Sequence, residues 1–69
     1  NSVAPGFTKT DLTESTNSKQ EIKSINTLIP MKRMAEPIEI ANLVAFLSSN
    51  LNTYITGQNI AIDGGWTAI

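Results

Sequence analysis

The sequence predicts an α/β chain built on a pair of parallel strands, and three observations predict it. A strand end at Asn1-Ser2-Val3-Ala4 is broken by Pro5-Gly6, a long apolar helix pattern begins at Glu36-Pro37, and residues 58–63 alternate around Ile60 and Ile62 before Gly64-Gly65. A strand, a helical crossover and a second strand make a βαβ unit, and such units build parallel sheets. One unit does not stand alone, so the chain is expected to be part of a larger α/β structure.

The first strand runs into the Pro5-Gly6 turn, which is followed by hydroxyls at Thr8 and Thr10. Residues 8–27 are rich in Ser, Thr, Asn and charge. Within them Ile22, Ile25 and Ile29 form one narrow apolar stripe of a short helix. Ser18 followed by Glu21 has capping-box spacing, which starts that helix near residue 18, and Pro30 ends it. A polar stretch with one apolar stripe suits a mobile lid over a site, and equally a solvated connector.

The segment EPIEIANLVAFLSSN, residues 36–50, reads as the main helix. Pro37 suits the first helical position, where its missing N–H costs nothing, and Asn50 is the expected left-handed stop. The helix is apolar nearly all round, from Ile38 through Leu43, Val44 and Phe46 to Leu47, and its polar face holds only Glu39, Asn42 and Ser49. A helix covered on one side keeps a charged outer face, so this one is expected to be buried on two. The cover must come from a further part of the subunit, from a partner subunit, or from both. After it, Thr53 to Thr56 lead to a turn at Gly57, and residues 58–63 form the last strand.

Composition narrows the possibilities. With 69 residues, the chain makes one small domain at most and buries only about 60% of its unfolded surface. It has no Cys and no His, which removes disulfides, zinc-finger ligands and His-based catalysis, and no metal site is expected. Five Lys and Arg against six Asp and Glu leave a net charge of −1 and no footprint for nucleic acid. No apolar run is long enough to span a bilayer and no signal-peptide pattern is visible, so cytoplasm is the default expectation.

In open parallel sheets, ligands bind just beyond the C-terminal ends of the strands, where Pro5 to Thr10 lie. Gly6 permits close backbone approach to a ligand, and the hydroxyls of Thr8 and Thr10 can bond an amide or a phosphate oxygen. Against this, Pro-Gly is among the commonest of turns and Thr is common in loops.

Three motifs together, NSVAPGFTKTDL, IPMKRMAEPIEIANLVAFLSS and YITGQNIAIDGG, resemble the C-terminal portion of the short-chain dehydrogenases/reductases. The resemblance spans nearly the whole chain, in the family's order, with residues 13–27 matching only as the variable substrate loop. It implies the C-terminal part of a Rossmann-like doubly wound parallel sheet, with residues 7–30 as substrate and cofactor loop, 36–50 as interface helix and 58–63 as last strand. It implies NAD or NADP as cofactor, with Pro5 and Gly6 shaping the turn beside the nicotinamide and the backbone of Phe7 and Thr8 binding its carboxamide. Thr10 would help to hold the carboxamide or the pyrophosphate.

The resemblance also implies a homo-oligomer, a tetramer or dimer, paired through the helix and strand of residues 37–63. The family's catalytic Tyr is followed four residues later by Lys; Tyr54 is followed by Gln58, so it is assigned to a turn. No residue is assigned a catalytic role, because the Ser, Tyr and Lys set and the glycine-rich pyrophosphate turn are not found. Arg33 and Asp63 are read as structural, the latter holding its turn by side-chain-to-backbone bonds. Trp66 lies where family tails approach the substrate pocket or a neighbouring subunit, and it is otherwise a packing aromatic. The expected function is therefore part of an NAD(P)-dependent oxidoreductase acting on a carbonyl or secondary alcohol, such as a 3-oxoacyl thioester, sugar or polyol. The alternative is a non-catalytic fragment that acts only in subunit association.

Overall fold

A computed structural model describes residues 1–10 and 18–68. In chain order it has strand β1 (Ser2–Pro5), helix α1 (Lys19–Leu28), helix α2 (Pro37–Ser48), strand β2 (Asn59–Ile62) and a closing 3-10 turn (Trp66–Ala68). The strands pair in parallel, with Ser2 opposite Asn59 and Pro5 opposite Ile62, so the α/β expectation holds. Residues 11–17 of the expected 7–30 loop lie outside the described residues.

Local chemistry explains the boundaries. The Ser18 hydroxyl caps α1 by accepting the Glu21 N–H at 3.1 Å. Pro30 pushes the residue before it out of the helical region, and Ile29 accordingly caps the C-terminus at φ −88°, ψ 127°. Helix α2 opens on Pro37 with capping-box spacing: the Glu39 side chain accepts the Glu36 N–H and the Glu39 N–H donates to Glu36 C=O, both at 2.9 Å.

Its end differs from expectation. Asn50 is not left-handed; among the described residues other than glycine, Lys32 alone has a positive φ, at 61°. Ser49 closes α2 instead: its hydroxyl donates to Phe46 C=O at 2.8 Å and accepts the Leu51 N–H at 3.1 Å. The Asn52 amide adds a bond to Leu47 C=O at 3.1 Å. Orphan carbonyls of the last turn are thus met by side chains, and no left-handed residue is required.

Among the described residues, Ile29 and Met34 are the buried ones. Both belong to the segment that passes from α1 to α2 beneath the end of β2. No residue of α2 is buried: Ile40, Leu43 and Leu47 are half-covered, while Ile38, Val44 and Phe46 stay exposed. One side of α2 therefore faces this chain and a second apolar side does not, as its all-round apolar pattern requires.

The two ends of the sheet are built differently. At the start of the strands, the Asn1 amide donates to Ile55 C=O and accepts the Gln58 N–H, both at 2.9 Å. Asn52 bonds both the N–H and C=O of Ile55, fixing the loop that carries Tyr54. At the other end the turns around Gly6 and Gly64-Gly65 come together, and the candidate site lies there.

Candidate functional site

Because the pairing is parallel, β1 and β2 deliver their C-terminal ends side by side. The Gly6 N–H donates to Ile62 C=O at 3.1 Å, extending the ladder past Pro5. A Cβ at Gly6 would stand 2.7 Å from Asp63 Cβ and 2.9 Å from its Cα. The close approach that the glycine permits is thus to the end of β2, where the sequence suggested a ligand.

Beyond Gly6 the chain runs beside Ala35. Ala35 N–H donates to Phe7 C=O and Lys9 N–H donates to Ala35 C=O, each at 2.9 Å. These two bonds flank Thr8, which forms a parallel bridge with Ala35. In that geometry Thr8's own N–H and C=O face away from Ala35, and neither has a partner among the described residues. A donor and an acceptor on the same side of one residue match the two functions of a primary carboxamide. The Phe7 carbonyl is already used, so of the two backbones implicated by sequence, Thr8 offers the complete pair. An ion pair between Lys9 and Glu36, at 3.1 Å, ties the same run to the start of α2.

The hydroxyls behave otherwise than the spacing suggested. Thr8 Oγ1 turns back to donate to Gly6 C=O at 3.2 Å, which stiffens the turn. Thr10 ends the run and is itself engaged within the protein.

A small cleft of about 90 Å³ opens at this end of the sheet, with Phe7, Met31, Ala35 and Ile62 supplying apolar surface. Pockets for small ligands hold about 300–1,000 Å³, so these residues form one wall of a site and not a whole one. Arg33, Glu39 and Asp63 provide its polar groups.

All three are tied up. Arg33 grips Glu39 with two parallel bonds of 2.7 and 3.1 Å, and the Glu36 N–H adds a third bond to that carboxylate. Arg33 first, then the Glu36 N–H, hold the Glu39 carboxyl down at about 2. The guanidinium thereby braces the start of α2. Asp63 accepts from Thr67 Oγ1 at 2.8 Å, Gly65 N–H at 3.0 Å and Thr67 N–H at 3.2 Å. The Thr67 hydroxyl is the main reason its carboxyl lies below the usual range. A carboxylate so held is ionised at neutral pH and holds a turn, as the sequence suggested, and it has no proton to give.

Tyr54 lies on the loop before β2, towards the opposite end of the strands, and is 92% exposed. The sequence did not reveal that Trp66 meets Phe7 edge to face, with ring centroids 5.3 Å apart and planes at 83°. Nor did it reveal Ala35 as the partner of the turn. Among the described residues no cluster of carboxylates could hold a metal ion, and no helix is long and apolar enough to cross a membrane.

Known proteins resemble this chain in sequence and share its fold. A family model described as enoyl-(acyl carrier protein) reductase matches residues 1–67. The 3-oxoacyl-(acyl-carrier-protein) reductase FabG of Rickettsia felis is 48% identical over 65 residues, covering 94% of this chain and 27% of the relative. A short chain dehydrogenase family protein from Francisella tularensis superposes with a TM-score of 0.85 at 39% identity, over 97% of this chain and 32% of that one. ElxO with NADP bound superposes at 0.83 with 31% identity, over 97% of this chain and 28% of its own. The chain spans about a quarter of the length of the curated relatives it matches. With the parallel strand ends, the Pro-Gly turn and a match over residues 1–67, this chain belongs to the short-chain dehydrogenase/reductase family.

Proposed function

We propose that this chain is the C-terminal segment of an NAD(P)-dependent oxidoreductase that interconverts a carbonyl and a secondary alcohol. The observation that carries the reading is the Thr8 backbone, whose N–H and C=O face away from the Ala35 bridge at the C-terminal end of a parallel strand pair. Those two groups fit the carboxamide of a nicotinamide. Bound there, the dinucleotide would supply or accept the hydride.

The chain's own part is positional. Pro5 and Gly6 carry β1 into the turn, the Phe7 carbonyl and Lys9 N–H anchor it to Ala35, and Thr8 presents its N–H and C=O. Thr10, which ends that run and is itself engaged within the protein, is assigned a part in holding the carboxamide or pyrophosphate. The likeness to an NADP-bound protein and to a 3-oxoacyl reductase supports this assignment. Among substrates, a 3-oxoacyl thioester leads, followed by a sugar or polyol. Subunits would pair, as a dimer or tetramer in the cytoplasm, through α2 and β2, which the exposed Ile38, Val44 and Phe46 support.

The test is titration of the full-length protein with NADPH and NADH, followed by reduction of 3-oxoacyl thioesters and ketoses. Binding of either dinucleotide with turnover of a carbonyl is expected. Binding of neither would overturn the reading and leave subunit association as the capacity of residues 37–63.

A further inference from the structure

The contact between Phe7 and Trp66 joins the two segments that leave the paired ends of β1 and β2. Phe7 follows the Pro5-Gly6 turn, whereas Trp66 opens the 3-10 turn after β2. Each step between them is fixed. Asp63 is packed against Gly6 so tightly that no side chain fits between them. Its carboxylate gathers the Gly65 N–H, the Thr67 N–H and the Thr67 hydroxyl, and its carbonyl accepts the Trp66 N–H at 3.2 Å. Gly64 and Gly65, at φ 63° and 96°, lie against Ile29 and Pro30, and the Met31 N–H donates to Gly64 C=O at 3.1 Å. The backbone of Trp66 is thus held in place and its indole is set against the Phe7 ring. Both rings remain about two-fifths exposed, at 39% and 41%, so the pair is not simply core filling.

We propose that Trp66 is a positioning residue for the Thr8 backbone. The bonds of Phe7 C=O and Lys9 N–H to Ala35 orient the two peptide groups that flank Thr8, and the ring contact adds a third restraint, at the Phe7 side chain. The Phe7 N–H makes no bond among the described residues, so the indole is the restraint on the side of Phe7 away from Ala35. Without the indole, the run holding the Thr8 N–H and C=O is held by the two Ala35 bonds alone and its aim is less sharply fixed. The inference rests on the reading of Thr8 as the carboxamide-binding residue.

The test compares Trp66→Ala and Trp66→Phe with the wild-type full-length protein, using NADPH and ADP-ribose as separate probes. ADP-ribose, used as its 2′-phosphate to match NADPH, keeps the adenosine, the pyrophosphate and the second ribose and lacks the nicotinamide. An edge-to-face pair adds a contribution whose loss corresponds to about a two- to tenfold change in affinity. Trp66→Ala is expected to weaken NADPH binding by that factor, with ADP-ribose binding unchanged, and Trp66→Phe is expected to restore most of it. Equal weakening of both probes would overturn the inference, since it would report general loosening of the domain. So would unchanged NADPH binding in Trp66→Ala. A wild-type protein that binds ADP-ribose and NADPH equally well would instead refute the carboxamide reading of Thr8 itself, and this inference with it.

Discussion

Replacing Gly6 by Ala tests the central packing relation of the site. The added Cβ would stand 2.7 Å from Asp63 Cβ, whereas carbon contacts are most favourable at about 3.5–4.0 Å. Relief requires the ends of β1 and β2 to part by about 0.8 Å. That stretches the 3.1 Å bond from Gly6 N–H to Ile62 C=O to about 3.9 Å, beyond hydrogen-bonding distance. Losing the bond costs about 1 kcal/mol and overpacking costs about 1–3 kcal/mol, for about 2–4 kcal/mol together.

The Rickettsia felis relative, of which 65 residues are 27%, is about 240 residues long. For a parent of that size the melting temperature should fall by about 5–15 °C. Gly57→Ala is the control: nothing lies within 4 Å of its Cβ position, so only the φ of +68° penalises the change, at about 1–2 kcal/mol. The assay is thermal unfolding of both variants and the wild type, followed by circular dichroism. A Gly6→Ala protein that melts with the wild type, or above Gly57→Ala, would refute the reasoning.

Three other outcomes are expected. Glu39 titrates at about 2 in place of 4.5, so its contribution to stability is fully present above pH 4.5 and is lost as the pH falls towards 2. The melting-temperature gap between wild type and Glu39→Gln should close over that window, and a gap that stays constant down to pH 2 would contradict the Arg33 pairing. Thr10→Val should weaken NADPH binding by the worth of one net hydrogen bond, about 1 kcal/mol, measured by fluorescence titration; unchanged affinity would remove Thr10 from the site. Phe46→Glu, on the exposed apolar side of α2, should dissociate the subunits of the full-length protein, and an unchanged size-exclusion profile would count against that face as the interface.

Local chemistry was the legible part of this molecule. Ser18 and Pro37 mark helix starts wherever they occur before a suitable pattern, and Ile29 leaves the helical region because Pro30 follows it. Alternation at Ile60 and Ile62 placed β2 within a residue at each end. Asn50 misled because Asn tolerates a left-handed cap, but Ser49 offered a hydroxyl that satisfied the same carbonyls without one. The left-handed residue falls instead on Lys32, whose ammonium reaches back to Thr27 C=O at the end of α1.

The site was half legible. Pro5, Gly6, Phe7 and Thr8 could be marked because they follow a strand end. That Gly6 is shaped by Asp63, that Thr8 is turned by Ala35, and that Phe7 is braced by Trp66 are relations between residues far apart in sequence. No spacing rule encodes them.

The register of the sheet also bears on how the protein is made. Ser2 and Asn59 are partners separated by 57 residues. At synthesis rates of about 5–20 residues per second, β1 is complete for about 3–11 s before β2 exists. During that interval the edge of β1 meant for β2 presents unpaired N–H and C=O groups to whatever is near. Ser2 and Gly6 each turn an N–H to that edge, whereas Pro5 faces the opposite one, so its missing N–H removes no donor there. The closing of this end of the sheet therefore waits for residues 59–62 to be made, and any chain that ends before Asn59 leaves the β2-facing edge of β1 without its partner.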